Sequence, residues 1–291
     1  MTVRDHGSFP VTVLGATSLV GRFALPRLTM ASRRVAAVSR RPGEARPGVH
    51  WIGVDLEGPD LSVVPEAREV LSLSPIWLLS PRVLEALRER GMTRLVAFSS
   101  TSRFTKERSP DPAERAVAAR LAEGEARVEA FCSTSGVAWT VLRPTLIYAE
   151  GLDRNVSRLA GLARRFGVLP LSGRGQGLRQ PVHADDLAGA AVEALGREAA
   201  FGRVYDLPGG ETLSYRAMVE RVFAGLGRAP RILSVPKPVW RAGLALAAPL
   251  LPGVGAAMGE RMDQDLAFDG AAAARDLGWS PRAFRPRFDA P

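Results

Sequence analysis

The residues able to do chemistry in this chain are few, and their types narrow the choices. There is one cysteine, Cys132, so the chain closes no disulfide on itself and a cysteine-based metal site is not expected. The three histidines, His6, His50 and His183, lie far apart and show no ligand spacing, so no metal is expected. Lysine occurs only at 106 and 237, and tyrosine only at 148, 205 and 215. The strongest signal is Val11-Thr12-Val13-Leu14-Gly15-Ala16-Thr17-Ser18-Leu19-Val20-Gly21. An apolar run stops at a glycine and resumes as an amphipathic segment through Phe23, Leu25 and Leu28, which reads as a strand, a tight turn and a helix start. A glycine there adopts backbone angles closed to other residues and lets a phosphate reach the amides. The helix start offers unpaired N–H groups and a positive dipole end to a pyrophosphate. This is the pattern of a dinucleotide-binding turn, with Gly15, Thr17, Ser18, Leu19, Val20 and Gly21 as contact residues. Ser18 stands where a middle glycine is expected.

A second polar group ends the next apolar run, where Val35-Ala36-Ala37-Val38-Ser39 is followed by Arg40-Arg41-Pro42. In an NAD-specific sheet an acidic residue at this point accepts hydrogen bonds from the adenosine ribose. A hydroxyl and two guanidiniums suit a ribose 2′-phosphate instead. NADP is therefore expected over NAD, with Ser39, Arg40 and Arg41 reading it. The plainer alternative is that paired arginines cap an exposed strand end.

These groups need elements to hold them. Apolar strands are expected at about 11–14, 34–39, 49–54, 70–73, 95–98 and 139–144, alternating with helices at about 19–30, 81–90 and 112–134. That alternation is the signature of a doubly wound parallel sheet covered on both faces. Functional groups then gather at the carboxyl ends of the strands, which puts the 15–21 turn, Arg40, Asp55, Ser74 and Thr101 on one rim. The stretch 104–112 is polar, with two prolines, and reads as a loop. After about residue 150 the alternation loosens into helices at 152–166, 185–195 and 215–226, with short strands at 179–183 and 204–207. Ser214 is the expected N-cap of the last of these helices. The organisation expected is a dinucleotide-binding domain over 1–150 and a small, partly helical substrate lobe over 151–291, with about 178–195 returning to the sheet.

The chain has 291 residues, 46% of them hydrophobic, and a formal charge of +9. That length supports one large or two closely packed domains. The charge comes almost wholly from arginines scattered in ones and twos, with few aromatics between them, so no nucleic-acid partner is expected. Val239–Met258 is largely apolar but broken by Pro249 and Pro252. A spanning helix needs about 20 mostly apolar residues. A lid or interfacial helix is expected there, with contact to a membrane surface as the minor reading. Met1–Pro10 lacks a signal peptide's apolar core, which leads to the expectation of a cytoplasmic monomer or homodimer.

Together the motifs resemble the short-chain dehydrogenase/reductase superfamily, in its extended and atypical branches of the NAD-dependent epimerase/dehydratase type. Gly15-Ala16-Thr17-Ser18-Leu19-Val20-Gly21 is similar to the G-x-x-G-x-x-G turn, and Asp55-Leu56 to the adenine-contacting acid after the third strand. Phe98-Ser99-Ser100-Thr101 is similar to the fifth-strand motif whose third hydroxyl is catalytic. Leu142-Arg143-Pro144-Thr145-Leu146-Ile147-Tyr148 is similar to the segment beside the nicotinamide. Arg179-Gln180-Pro181-Val182-His183-Ala184-Asp185-Asp186-Leu187-Ala188 is similar to R-D-x-x-H-V-x-D-x-A. The resemblance covers nearly the whole chain and implies a Rossmann-like sheet. It implies cofactor contacts at Asp55, Leu56, Leu73, Ser74, Ser99 and Pro144 as well, and substrate contacts at Asn155 and Arg179, where nucleotide-sugar members hold a diphosphate.

The resemblance breaks at one place. The family's redox chemistry uses a Tyr-x-x-x-Lys pair on the helix after the fifth strand, the lysine lowering the tyrosine's pKa. Aligning Ala122-Glu123-Gly124-Glu125 puts Val117 and Leu121 on those positions. No tyrosine in the chain is followed four residues on by lysine. Three readings follow. In the first, another group moves the proton, with Thr101, Lys106, Glu107 or Asp111 as candidates. In the second, hydride passes to a small carbonyl or nucleotide-linked substrate whose proton comes from water or from itself. In the third, the chain is a non-catalytic NADP(H)-binding sensor or scaffold protein.

Overall fold

The computed structural model describes residues 11–66, 68–240, 242, 259 and 261–288. The first half runs β1 (Val11–Leu14), α1 (Gly21–Met30), β2 (Val35–Ser39), β3 (Val49–Gly53), β4 (Glu69–Ser72), α2 (Pro81–Glu89), β5 (Arg94–Phe98), α3 (Ser102–Thr105), α4 (Pro112–Ser135) and β6 (Ala138–Pro144). The second runs β7 (Ile147–Tyr148), α5 (Val156–Phe166), β8 (Leu169–Ser172), β9 (Leu178–Arg179), β10 (Val182–His183), α6 (Ala184–Gly196), β11 (Arg203–Leu207), β12 (Leu213–Ser214), α7 (Tyr215–Gly225), β13 (Ile232–Val235) and α8 (Ala271–Leu277).

The main sheet has the order β3-β2-β1-β4-β5-β6-β11, and every pairing in it is parallel. The order reverses between β1 and β4, the crevice where such sheets bind ligands. β1 is apolar or β-branched throughout and wholly buried because helices cover both faces. One apolar cluster joins it to α1, α6 and α8, and a second joins the sheet to α2 and α4. A third cluster is built from α5, α7, β8 and Phe284.

Local chemistry moves several expected boundaries. α1 begins at Gly21, not near Leu19, because residues 15–20 form the turn itself. Part of the expected 104–112 loop is helical, since α3 reaches Thr105. The expected strand at 179–183 splits into β9 and β10 around Pro181, which has no N–H for a ladder. The return to the sheet extends past 195. β11 becomes the seventh strand and α8 packs beside it, held where the Tyr205 hydroxyl donates to Asp276 Oδ2 at 2.9 Å. The Trp279 indole N–H reinforces this by donating to the Pro208 carbonyl at 3.0 Å. Ser214 caps α7 by accepting from the Ala217 amide at 3.0 Å. No helix among the described residues is long and apolar enough to cross a membrane. The apolar stretch 239–258 lies outside the described residues except at 239, 240 and 242.

Candidate functional site

The turn after β1 explains its own sequence. Gly15 has φ +67°, and a Cβ there would stand 2.6 Å from the Ser74 nitrogen. A Cβ on Gly21 would stand 2.2 Å from the Ala16 carbonyl oxygen. Both positions require glycine, the first for its angle and for the approach of the chain after β4. Ser18 has a different job. Its hydroxyl accepts the Gly21 amide at 3.1 Å, and its own amide donates to the Gly15 carbonyl at 2.9 Å. The serine thus caps the start of α1 from inside the turn. Beside it the Thr17 and Ser39 hydroxyls hydrogen-bond at 2.8 Å, joining the turn to the end of β2.

A cleft of about 520 Å³ opens at the switch point. Of the residues expected to hold a dinucleotide, Gly15, Thr17, Ser18, Ser39, Arg40, Asp55, Leu56, Leu73 and Ser74 line it. Leu19, Val20, Gly21, Arg41, Ser99 and Pro144 do not. Val20 is buried in the core, Leu19 packs against it, and Gly21 closes against Ala16. The other lining residues were not legible as site residues in the sequence; Val38, Val54, Pro75 and Leu78 are apolar, and Glu57, Trp77 and Arg120 add polar or aromatic groups. The Arg120 guanidinium lies 4.4 Å from the Trp77 ring centre, a cation–π contact that brings α4 over the chain following β4. The signal available was an isolated tryptophan in Ile76-Trp77-Leu78, just past the end of β4. Arg40 and Arg41 are exposed and have no ion-pair partner among the described residues.

Past the cleft, the ends of β5, β6 and β11 are joined by a buried charge cluster. Glu125 of α4 is 4% exposed and accepts from Arg143 at 3.0 and 2.5 Å, from the Ser99 hydroxyl and from Arg103. Burial pushes this carboxyl up, but the hydrogen bonds and charge of Arg143, with Ser99 and Arg103, outweigh it and hold it below the usual glutamate range. Asp206 lies 3.8 Å from Arg143 and goes the other way, raised chiefly by burial and further by Glu125. Ser99, expected as a cofactor contact, is a member of this cluster through its hydroxyl, which donates to Glu125, and it does not line the cleft.

The expected catalytic residues are constrained in the same way. Thr101 is 6% exposed, and its hydroxyl donates to the Pro144 carbonyl at 3.1 Å. Lys106 stands at the C-cap of α3, with its ammonium 3.6 Å from Glu114. Glu107 and Asp111 are exposed, and the Asp111 carboxylate caps α4 at the Ala113 amide, 2.8 Å away. Leu121 is 4% exposed in the α4 side of the core, with Val117 packed against the same cluster. None of the tyrosines takes the vacant role: Tyr148, Tyr205 and Tyr215 are 1, 2 and 8% exposed, and burial raises the pKa of each.

The two expected substrate contacts are placed differently from a diphosphate fork. Arg179 is 6% exposed and donates to the Leu178 carbonyl at 2.7 Å, to the Gln264 carbonyl at 2.8 Å and to the Arg261 carbonyl. Its guanidinium also lies 5.2 Å from the Tyr215 ring centre, and burial lowers its pKa to about 10. With its donors engaged by backbone, Arg179 is a clasp between β9 and the 261–264 segment. Asn155 is exposed at the N-cap of α5, and its side-chain amide donates to the Ile147 carbonyl at 3.3 Å.

Residues 76–207 match the model of the NAD dependent epimerase/dehydratase family. The chain is 26% identical over 266 residues to the mitochondrial NADH dehydrogenase [ubiquinone] 1 alpha subcomplex subunit 9 of Arabidopsis thaliana, covering 82% of this chain and 62% of that one. It thus spans less than two thirds of that relative's length. It is 30% identical over 234 residues to a (4-alkanoyl-5-oxo-2,5-dihydrofuran-3-yl)methyl phosphate reductase of Streptomyces griseus subsp. griseus, covering 75% of this chain and 74% of that one. Its fold matches that of MoeE5 in complex with UDP-glucose and NAD, with TM-score 0.70, 21% identity and 94% of each chain covered. With its glycine turn, its switch-point cleft and these relatives taken together, the chain belongs to the NAD-dependent epimerase/dehydratase family.

Proposed function

We propose that the chain is an NADP(H)-dependent reductase of a small carbonyl substrate. The observation that carries the cofactor choice is Arg40, which lines the cleft at the end of β2 with no ion-pair partner among the described residues and no acidic residue in the ribose-reading position. The residues present fit the group: Gly15, Thr17 and Ser18 line the cleft just ahead of the start of α1, where helix-terminal N–H groups suit a pyrophosphate, and the Thr17 and Ser39 hydroxyls stand beside them. A dihydronicotinamide cofactor bound in this cleft would supply the hydride. The family relative from Streptomyces griseus subsp. griseus, itself a reductase by name, supports the reaction class.

A small carbonyl is favoured over a nucleotide sugar because the diphosphate contacts expected of Arg179 are already taken by three backbone carbonyls. The proton balancing the hydride has no tyrosine source. Thr101, its hydroxyl donating to Pro144, holds the end of β5 against the end of β6 and acts as a positioning residue. Lys106 is the ammonium closest in sequence to that rim. Glu114, 3.6 Å from it, is held below the usual glutamate range, because hydrogen bonds from Arg261 and Ser109 outweigh the burial that would raise its pKa. Lys106 is proposed to give its proton to the reduced oxygen. The test is loss of NADPH absorbance against a panel of aldehydes, ketones and enones, repeated with Lys106→Met. A turnover lost in K106M with NADPH affinity unchanged is expected; full turnover in K106M would assign the proton to water.

The packing of Val117 and Leu121 favours one second reading, a non-catalytic NADP(H) sensor or scaffold subunit, since the side chains on the family's acid/base positions are apolar. NADPH binding with no consumption of it across the panel would select that reading.

A further inference from the structure

An exposed face of the C-terminal lobe, away from the cleft, combines apolar side chains with arginines. β8 and β13 pair as a parallel ribbon in which Leu233 stands opposite Pro170. Leu169 and Leu171 face the lobe's apolar cluster, while Pro170 and Leu233 face out, Leu233 with 59% exposure. Phe166, which ends α5, is 56% exposed, and Val168, leading into β8, is 38% exposed. Around them stand Arg164, Arg165, Arg228 and Arg231, all exposed. Neither the segment 161–172 nor the segment 226–240 contains an Asp or Glu.

Basic residues at a helix C-terminus ordinarily complement its dipole and free carbonyls. Here Arg228 already performs that task, donating to the Ala163 and Arg164 carbonyls at 3.2 and 3.0 Å. Arg165 lies with its guanidinium 5.2 Å from the Phe166 ring centre, so cation and aromatic face solvent together. A purely polyanionic partner would use the guanidiniums and leave Phe166, Val168 and Leu233 in water. A bilayer with acidic headgroups uses both sets, its phosphates meeting the arginines and its acyl boundary taking the apolar side chains. Val239, four residues past β13, is also 59% exposed, and beyond it the sequence carries no charged residue between Arg241 and Glu260.

We infer that this ribbon face docks the chain on an anionic membrane surface, through Arg165 and Arg231 as headgroup contacts and Phe166 and Leu233 as interfacial anchors. None of these residues lines the cofactor cleft, so docking leaves it accessible.

Co-sedimentation of the full chain with phosphatidylcholine vesicles, with and without a quarter of phosphatidylglycerol, tests the inference. Binding is expected only with the anionic lipid, and high salt weakens it. Arg165→Glu with Arg231→Glu is expected to lower partitioning by at least about 25-fold, at roughly fivefold for each basic residue lost near the surface. Phe166→Ser with Leu233→Ser should lower it by about tenfold with the charge unchanged. Both variants should keep the parent's melting temperature and its shift with NADPH. No binding to anionic vesicles, equal binding to neutral ones, or parental binding by both variants would overturn the assignment. So would a solution dimer that the F166S/L233S change dissociates, because the face would then be covered by a second copy.

Discussion

At the scale of single residues, the cleft rests on a few positions whose chemistry is not interchangeable. Arg40 and Arg41 follow β2, but only Arg40 lines the cleft. Arg40→Ala is therefore expected to weaken NADPH by about tenfold or more, the worth of one charge-assisted phosphate contact, and to leave NADH within about twofold. Arg41→Ala should do much less, and equal losses for both nucleotides in R40A, read by titration of tryptophan fluorescence, would remove Arg40 from the 2′-phosphate role. Gly15→Ala is expected to cost about 2 kcal/mol or more of stability, since the new methyl meets both a positive φ and the Ser74 backbone at 2.6 Å. Denaturant midpoints measure it. Ser18→Ala should cost about 1 kcal/mol by the same measurement, because the Gly21 amide loses its cap. The sequence pattern identified Ser18 as a departure from glycine, yet only the cap geometry explains it. A hydroxyl bond to an amide three residues on leaves no trace that distinguishes it from tolerance of a small side chain.

At the scale of elements, the sheet was legible because each central strand is a short apolar run bounded by turn residues, and burial on both faces demands that pattern. What joins the strand ends was not. Glu125, Ser99, Arg143 and Asp206 come from four different elements or their edges, and nothing in their spacing encodes that they meet. The parts of the site expected from the family motifs divide along the same line. Gly15, Thr17 and Ser18 of the turn and Ser39 and Arg40 at the β2 end are local in sequence and line the cleft, whereas Ser99, Arg179 and Asn155 are committed to partners that only the packing reveals. The charge cluster carries its own pH signature. Glu125 titrates below the ordinary glutamate value of 4.5, so its contribution to stability is present above that value and is lost as pH falls through the lower folded pKa. Glu125→Gln is expected to cost about 3 kcal/mol at neutral pH, leaving Arg143 and Arg103 buried or half-buried without their carboxylate, and to flatten the acid limb of the stability profile. Asp206 is raised, so its contribution is present below the unfolded pKa and lost as pH rises through the folded one. Asp206→Asn should therefore be neutral or stabilising at pH 7, opposite in sign to E125Q, and urea melts across pH 3–7 read both.

At the scale of the whole molecule, the cleft and the lobe are built from different parts of the chain, and this separates their energetics. Every residue lining the cleft lies between 15 and 120, while the lobe's third apolar cluster begins at Tyr148 and is tied down by Arg179. Arg179→Met keeps much of the side chain's volume but strips the hydrogen bonds from the Arg261 and Gln264 carbonyls inside a buried site, an expected loss of about 2–4 kcal/mol. NADPH at a hundredfold excess over its dissociation constant should add about 2.7 kcal/mol to either protein, because the clasp contributes nothing to the cleft. For a chain of this size that is a rise in melting temperature of roughly 4–5 °C, superimposed on the lower baseline of the variant. The two effects should add, as they do for sites that share no partners. A parental melting temperature in R179M would show that the buried guanidinium is not a clasp. A lowered baseline with the NADPH shift abolished would show instead that the lobe completes the cofactor site.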